Sequence, residues 1–259
     1  MRYALLIEYN GANYKGWQKQ RGLDTIQERI ESVLSTFANH NIEIQAAGRT
    51  DAGVHALGQT VTFDSSANRQ LYGWKIAANS MLPDDIRIKD VAIVDDEFHA
   101  RFDAIARTYK YYLYNSPINS AIIPNSLGYF AYDLDIELMK QASQYLLGEQ
   151  DFSAFRTSIC QAKSPIRTMM AINIEKQNNV ICFEFTANAF LHHMIRNIVG
   201  AMIYIGNGRL SIQDFVTKFI SKNRGVMPPT FMPNGLYLSQ ITYRSEVFSP
   251  QEDRWMFNL

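Results

Sequence analysis

One short carboxylate, Asp51, stands in the run Gly48-Arg49-Thr50-Asp51-Ala52-Gly53-Val54-His55-Ala56, with a glycine on either side of it. Glycine lets a backbone turn where a Cβ would clash, so this run predicts a turn that presents Asp51 into a cleft. Arg49 supplies a nearby opposite charge, which favours the ionised carboxylate. A carboxylate that is ionised, oriented and partly desolvated acts as a nucleophile or a base. The plainer role for such a residue is an Asx-turn, in which the side chain only caps its own loop. Taken alone, the run leaves both roles open.

Other blocks of the chain narrow the choice. Tyr9-Asn10-Gly11 leads through Gly16-Trp17-Gln18-Lys19-Gln20, and Phe98-His99-Ala100-Arg101-Phe102 precedes Ala106-Arg107-Thr108-Tyr109-Lys110-Tyr111. Phe190-Leu191-His192-His193-Met194-Ile195-Arg196-Asn197-Ile198-Val199-Gly200 and Gly235-Leu236-Tyr237-Leu238 complete the set. With the Asp51 run, these blocks resemble the tRNA pseudouridine synthases of the TruA family, in order and without a large gap from residue 3 to residue 243. One departure is visible. Thr230-Phe231-Met232-Pro233 stands where members of that family usually read Thr-Ala-Pro-Pro, a change that touches the segment before Leu236 and not the Asp51 run.

The resemblance implies an isomerase that turns uridine into pseudouridine at positions 38, 39 and 40 in the anticodon stem-loop of tRNA. That reaction breaks the N-glycosidic bond, turns the uracil over and joins its C5 to C1′ of the ribose. No redox step occurs and no group enters or leaves, so no organic cofactor is needed. The family's nucleophile falls on Asp51, which could add to the uracil ring or capture C1′ as glycosidases do. The resemblance places Arg196 against that carboxylate, where a guanidinium can fix both charge and orientation. It also implies that Tyr109 stacks on the target base and assists proton transfer, and that Leu236 is an apolar lid on the other face of the uracil. Without it, Arg196 would read as an exposed arginine on a helix and Tyr109 as a core tyrosine. Arg49 is either a neighbouring charge or a wedge that fills the space of an extruded base, since a paired target must be flipped out before chemistry.

The elements that must hold these residues follow from periodicity. Tyr3, Leu5, Ile7 and Tyr9 alternate as in a strand. Thr25-Ile26-Gln27-Glu28 has the capping-box pattern, and Ile26, Ile30, Val33, Leu34 and Phe37 then share a helical face. Strands are expected at 42–47 and 59–64 with the Asp51 run between them, a helix at 74–81 ending before Pro83, and a strand at 86–94. The second half repeats the order. It has a strand at 108–114, a helix capped by Asp135 and stopped by Gly148, and a hairpin of 170–176 and 180–186 around Asn178-Asn179. A helix over 189–205 follows, then one beginning at Ser211 with Ile212, Phe215, Val216, Phe219 and Ile220 inward, and a last strand at 236–243. Two βαββαβ copies predict an α+β fold of two ferredoxin-like units whose antiparallel sheets can join around a central cleft. The expected division is 1–106, carrying the Asp51 loop, and 107–259, with 115–132 as connector and Pro117, Pro124 and Gly128 within it. Residues 249–259 form a tail with Trp255 and Phe257 exposed and no functional reading.

Composition excludes several classes. No apolar stretch approaches the roughly 18–20 residues needed to cross a membrane. Met1-Arg2-Tyr3 runs straight into the first strand pattern, so no signal peptide is expected. Cys160 and Cys182 make no disulfide framework and are expected as reduced thiols, which fits a cytoplasmic protein. The 25 basic and 25 acidic residues of the 259 balance to zero, which argues against holding RNA by bulk charge but not against a basic groove. Four basic runs could line one: Lys15, Lys19 and Arg21; Arg101, Arg107 and Lys110; Arg156, Lys163 and Arg167; Lys218, Lys222 and Arg224. Trp17, Tyr109, Tyr111 and Tyr112 interleave with them, as in a phosphate-tracking cleft. His192 and His193 are expected on different sides of a helix, and with His55 they lack the spacing of a metal site, so no metal is expected. Two other classes fit less well: a silent RNA-binding protein has no use for a nucleophile, and a glycosidase would show a second placed acid. The resemblance implies a homodimer whose RNA groove crosses both subunits.

Overall fold

Strand β1 (Arg2–Tyr9) opens the chain, and in the computed structural model, which describes residues 1–123, 125–249 and 256–257, it is an inner strand. The alternating set Tyr3, Leu5 and Ile7 is fully buried, and Ala4 and Leu6 are buried too. After β1 come α1 (Ile26–Ala38), β2 (Gln45–Ala46), β3 (His55–Asp64), α2 (Leu71–Met81) and β4 (Ile86–Val94). β1 lies between β3 and β4, antiparallel to both, and β2 pairs antiparallel with β3. The core of this unit is aromatic: Tyr3 stacks on Phe63 at 5.2 Å, and Trp74 meets Tyr3, Phe63 and Phe37 at 5.3, 5.1 and 5.0 Å.

Local chemistry departs from expectation at two places here. Thr25 stands at the N-cap of α1, but its side chain makes no capping bond and is completely buried. The carbonyls of Gly16 and Trp17 take the first helical N–H groups instead, from Ile26 at 3.3 Å and Gln27 at 3.0 Å. Two of the donors at the helix start are thus taken by loop carbonyls, and the Thr25 hydroxyl is buried without a partner. β2 shrinks from the expected six residues to Gln45–Ala46, while β3 begins earlier than expected, at His55 within the Asp51 run.

The second unit comprises residues 106–236 with 256–257; the first comprises 1–105 with 237–249. Its elements are β5 (Ala104–Asn115), β6 (Gly128–Phe130), α3 (Ile136–Ser143), β7 (Gly148–Asp151), β8 (Ile166–Gln177), β9 (Val180–Ala187), α4 (Met194–Gly206) and α5 (Ile212–Ile220). β5, β9, β8 and β7 lie side by side in that order, all antiparallel, with β6 parallel on β5. The expected connector thus contains a short strand. Asn178 turns the β8–β9 hairpin at φ 51°, and the Asp135 side chain accepts from Leu138 N at 3.0 Å to cap α3.

α4 starts later than its periodicity suggests, because His193 takes a left-handed φ of 61° and breaks the helix before Met194. Phe190, His192 and His193 are therefore off the helix. The two imidazoles stack at 3.9 Å and do not point to opposite sides. Of the thirteen residues of α4, only Arg196 and Tyr204 are not buried. In α5, Phe215 and Phe219 are buried against Phe152 and Phe155, whereas Ile220, expected inward, is 69% exposed.

Strand β10 (Leu236–Tyr243) pairs in parallel with β3, Tyr237 opposite His55 and Leu238 opposite Ala56. Residues 237–249 therefore group with the first unit, although the strand closes the second βαββαβ run in sequence. The structure is of the mixed α+β class. The strand neighbours β1, β3 and β2 of the first unit have β5, β9 and β8 as counterparts in the second. Phe257 packs against Tyr112 at 5.3 Å and is half-buried, while Trp255 and Pro124 lie outside the described residues. Among the described residues no helix is long and apolar enough to cross a membrane. Cys160 and Cys182 are free thiols.

Candidate active site

The Asp51 run is a clamped turn between β2 and β3. At its start, Gln59, fully buried on β3, holds the Gly48 peptide from both ends: its amide donates to Gly48 O at 2.7 Å, and its Oε1 accepts from Gly48 N at 3.3 Å. Thr50 is fixed next. Its carbonyl accepts from Trp17 N at 3.0 Å, and its hydroxyl bonds the Tyr9 phenol at 2.7 Å. Gly16, at φ 89°, makes that approach possible, since a Cβ there would sit 2.9 Å from Thr50 O. The turn closes with Val54 N donating to Asp51 O at 3.1 Å and Gly53 at φ 78°, a conformation that favours glycine. Below it, buried His55 stacks on Tyr237 at 4.5 Å, and its Nδ1 accepts from Gly11 N at 3.1 Å. His55 is thus a structural residue.

These bonds use the backbone on both sides of Asp51, and what they leave half-buried and carried by the turn is its side chain. Arg49 is exposed. The clamps Gln59 and Tyr9 went unnoticed in the sequence, and Gln59 left a signal: it is a lone amide in a strand otherwise fit for a core.

In the second unit, Tyr109 and Tyr111 share a face of β5. Tyr109 is 8% exposed and meets Phe190 edge-on at 5.1 Å. Tyr111 is wholly buried and donates to Met232 O at 3.0 Å. Burial pushes its phenol well above the ordinary value, and the charge of Arg196 offsets this only in part. Arg196, half-buried on α4, is oriented by backbone: its Nε donates to Phe231 O at 2.8 Å, and Phe231 N donates to Arg196 O at 3.1 Å. The departure from the family pattern at Phe231 thus falls on a residue that engages Arg196 through its peptide groups. Leu236 is 5% exposed, its N–H donating to Pro233 O at 2.8 Å. Asp51 and Arg49 belong to the first unit, and Tyr109, Arg196 and Leu236 to the second.

Several residues expected to meet RNA are committed elsewhere. Trp17, Tyr111 and Tyr112 are at most 2% exposed and cannot stack on a base. Lys110 is buried and pairs with Glu184 at 3.2 Å, and Lys222 pairs with Asp151 at 3.0 Å. Arg156 donates to the carbonyls of Cys160 and Ala162, Arg167 to those of Ser164 and Ile166, and Arg224 to those of Met227 and Pro228. Lys15 and Arg21 are exposed; Lys19 pairs with Glu31 at 3.2 Å.

Comparison with known proteins places this α+β fold. Residues 5–103 and 142–244 match the family described as tRNA pseudouridine synthase. The chain is 47% identical over 243 residues to the tRNA pseudouridine synthase A of Shewanella pealeana, covering 94% of this chain and 93% of that one. It is 47% identical to the protein of that name from Nitrosomonas eutropha, with 94% and 88% covered. For the one from Vibrio cholerae the identity is 44% over 251 residues, with 97% and 95% covered. The chain belongs to the tRNA pseudouridine synthase family and is an isomerase that converts uridine to pseudouridine in tRNA.

Proposed function

We propose that this isomerase acts on uridines 38, 39 and 40 of the anticodon stem-loop, with Asp51 as its nucleophile. The observation that carries the reading is the Asp51 turn, whose backbone is held by Gln59, Trp17 and Val54 and whose Thr50 hydroxyl is held by Tyr9, while its carboxylate stays half-buried. A reacting group gains most when its geometry is fixed in advance, and this turn fixes it through bonds that do not consume the carboxylate.

The residues take the following roles. Asp51 attacks either the uracil ring or C1′, the N1–C1′ bond breaks, the base turns over, C5 bonds to C1′, and the bond to Asp51 breaks to return the free carboxylate. The C5 hydrogen then leaves as a proton and N1 gains one, so the reaction is redox-neutral and needs no redox cofactor. Arg196 pairs with the carboxylate and orients it, Tyr109 stacks on the base, and Leu236 covers its other face. The exposure of Arg49 suits a wedge that enters the vacated place in the stack better than it suits a buried charge partner. The N-terminal half, 1–106, supplies the Asp51 turn, and 107–259 supplies Tyr109, Arg196 and Leu236. Corresponding strand neighbours in the two units support their origin as two ferredoxin-like βαββαβ copies. The enzyme works in the cytoplasm as a homodimer whose RNA groove crosses both subunits.

The decisive assay is tritium release from tRNA transcripts carrying C5-labelled uridine, because only isomerisation at C5 frees that hydrogen. Release should map to positions 38–40 and persist after exhaustive chelation. Release from another arm overturns the stem-loop assignment, and a loss on chelation that zinc restores overturns the metal-free mechanism.

Binding should be salt-sensitive despite the zero net charge, with log affinity falling roughly linearly against log salt. Lys15→Glu or Arg21→Glu should each reduce the slope by about one without changing which uridine is modified. A wild-type slope near zero sinks the basic-groove model.

A further inference from the structure

We infer that Arg224 is a positioning residue for Arg196, an inference that rests on the role proposed for Arg196. Arg224 looks in sequence like one more phosphate contact, but its guanidinium is turned inward. Nη1 donates to Met227 O at 3.3 Å and Pro228 O at 2.9 Å; Nη2 donates to Asn197 Oδ1 at 3.0 Å and Thr230 Oγ1 at 3.1 Å. All four acceptors are neutral. Burial lowers the pKa of Arg224, which is the cost of placing a cation there.

The network runs directly to Arg196. Asn197 follows Arg196 on α4, and Phe231 follows Thr230 on the segment that crosses it. Thr230 Oγ1 donates to Asn197 Oδ1 at 2.6 Å, and Asn197 Nδ2 is anchored to Phe155 O at 2.7 Å. One residue before Asn197 and one after Thr230, Arg196 and Phe231 exchange bonds of 2.8 and 3.1 Å, the shorter from the Arg196 side chain. The crossing segment lies close on the helix because residue 200 is glycine: a Cβ there would sit 2.3 Å from Pro229 O.

Arg224 therefore ties residues 227–230 to Asn197, and this tie places the Phe231 carbonyl that orients the Arg196 guanidinium. A planar fork can reach two backbone carbonyls and two side chains at once; an ammonium cannot. Arg224 itself makes no contact with substrate in this scheme. A displacement of the Phe231 carbonyl by about 1 Å would swing the Arg196 guanidinium, and misplacements of that size cost up to about a hundredfold in rate.

The test is a double-mutant cycle read by single-turnover rate, tRNA affinity and thermal melting. Arg224→Met and Thr230→Val are each made in the wild-type and the Arg196→Leu background. In the wild-type background each should slow turnover about ten- to hundredfold with tRNA affinity within about threefold, and Arg224→Lys should recover little of the loss. In the Arg196→Leu background the same changes should add almost nothing, because the residue they position is gone. Thr230→Val removes one link without deleting a buried cation, so it carries the test if Arg224→Met does not fold. Losses that multiply in both backgrounds, or a loss confined to tRNA affinity, overturn the inference and leave the Arg196 reading intact. Normal turnover in Arg196→Leu alone overturns the Arg196 reading, and this inference with it.

Discussion

Asp51→Asn should abolish isomerisation while tRNA affinity stays within a few-fold of wild type. The substitution keeps the volume of the side chain and removes only its charge and nucleophilicity. None of the bonds from Gln59, Trp17 and Tyr9 that hold the turn involves the Asp51 side chain, and the Val54 N–H bonds its main-chain carbonyl. The turn should therefore keep its shape and the protein its melting temperature, so that lost turnover reports chemistry and not unfolding. Single-turnover rates on labelled tRNA and filter binding on the same transcript separate the two quantities. Nucleophile loss usually costs more than about a thousandfold, so residual turnover above that level means another group attacks. Collapse of tRNA affinity with turnover of bound RNA preserved would make Asp51 a binding residue.

The Asp51 turn was legible because its features are local: a glycine at positive φ, a short carboxylate and a β-branched residue returning to a strand. The same holds for the Asp135 cap and the Asn178 turn, where each signal lies within a few residues of what it governs. Thr25 shows the limit. The capping-box pattern was present, but the carbonyls of Gly16 and Trp17, from the loop just before the helix, take its first two donors, and the Thr25 side chain makes no cap. His193 shows another, since hydrophobic period alone runs through 189–205 and cannot register one residue at φ 61°.

Burial was the least legible property. Trp17, Tyr111 and Tyr112 stand among basic residues in sequence, yet they face the core, because strand neighbours and helices decide exposure. Some of the basic residues failed in the same way: spacing groups charges, but most of the carbonyls that capture Arg156, Arg167 and Arg224 come from irregular segments with no period to read. Of the residues named for chemistry, Arg196 depended most on resemblance. Its anchor is the peptide of Phe231, and a backbone partner leaves no mark in side-chain identity.

Arg196→Leu should slow turnover about a hundredfold or more, the scale seen when a preorganised charged donor is removed from an active site. The leucine keeps the apolar contacts of an otherwise buried helix but leaves the Phe231 carbonyl without its 2.8 Å donor. A lower plateau alone would not prove an ion pair with Asp51, because lost packing could do the same. The pH profile separates them. A carboxylic acid that loses an adjacent cation holds its proton to higher pH. If catalysis needs the ionised form, the acid limb of the activity profile must then move to higher pH in Arg196→Leu, so that added base recovers part of the rate. Arg196→Lys should lie between the two, with a smaller displacement of the limb, because an ammonium restores charge but cannot both bond Phe231 and present a planar fork. Near-normal turnover with an unmoved limb means that the carboxylate's partner lies elsewhere, and Arg49 becomes the next residue to replace.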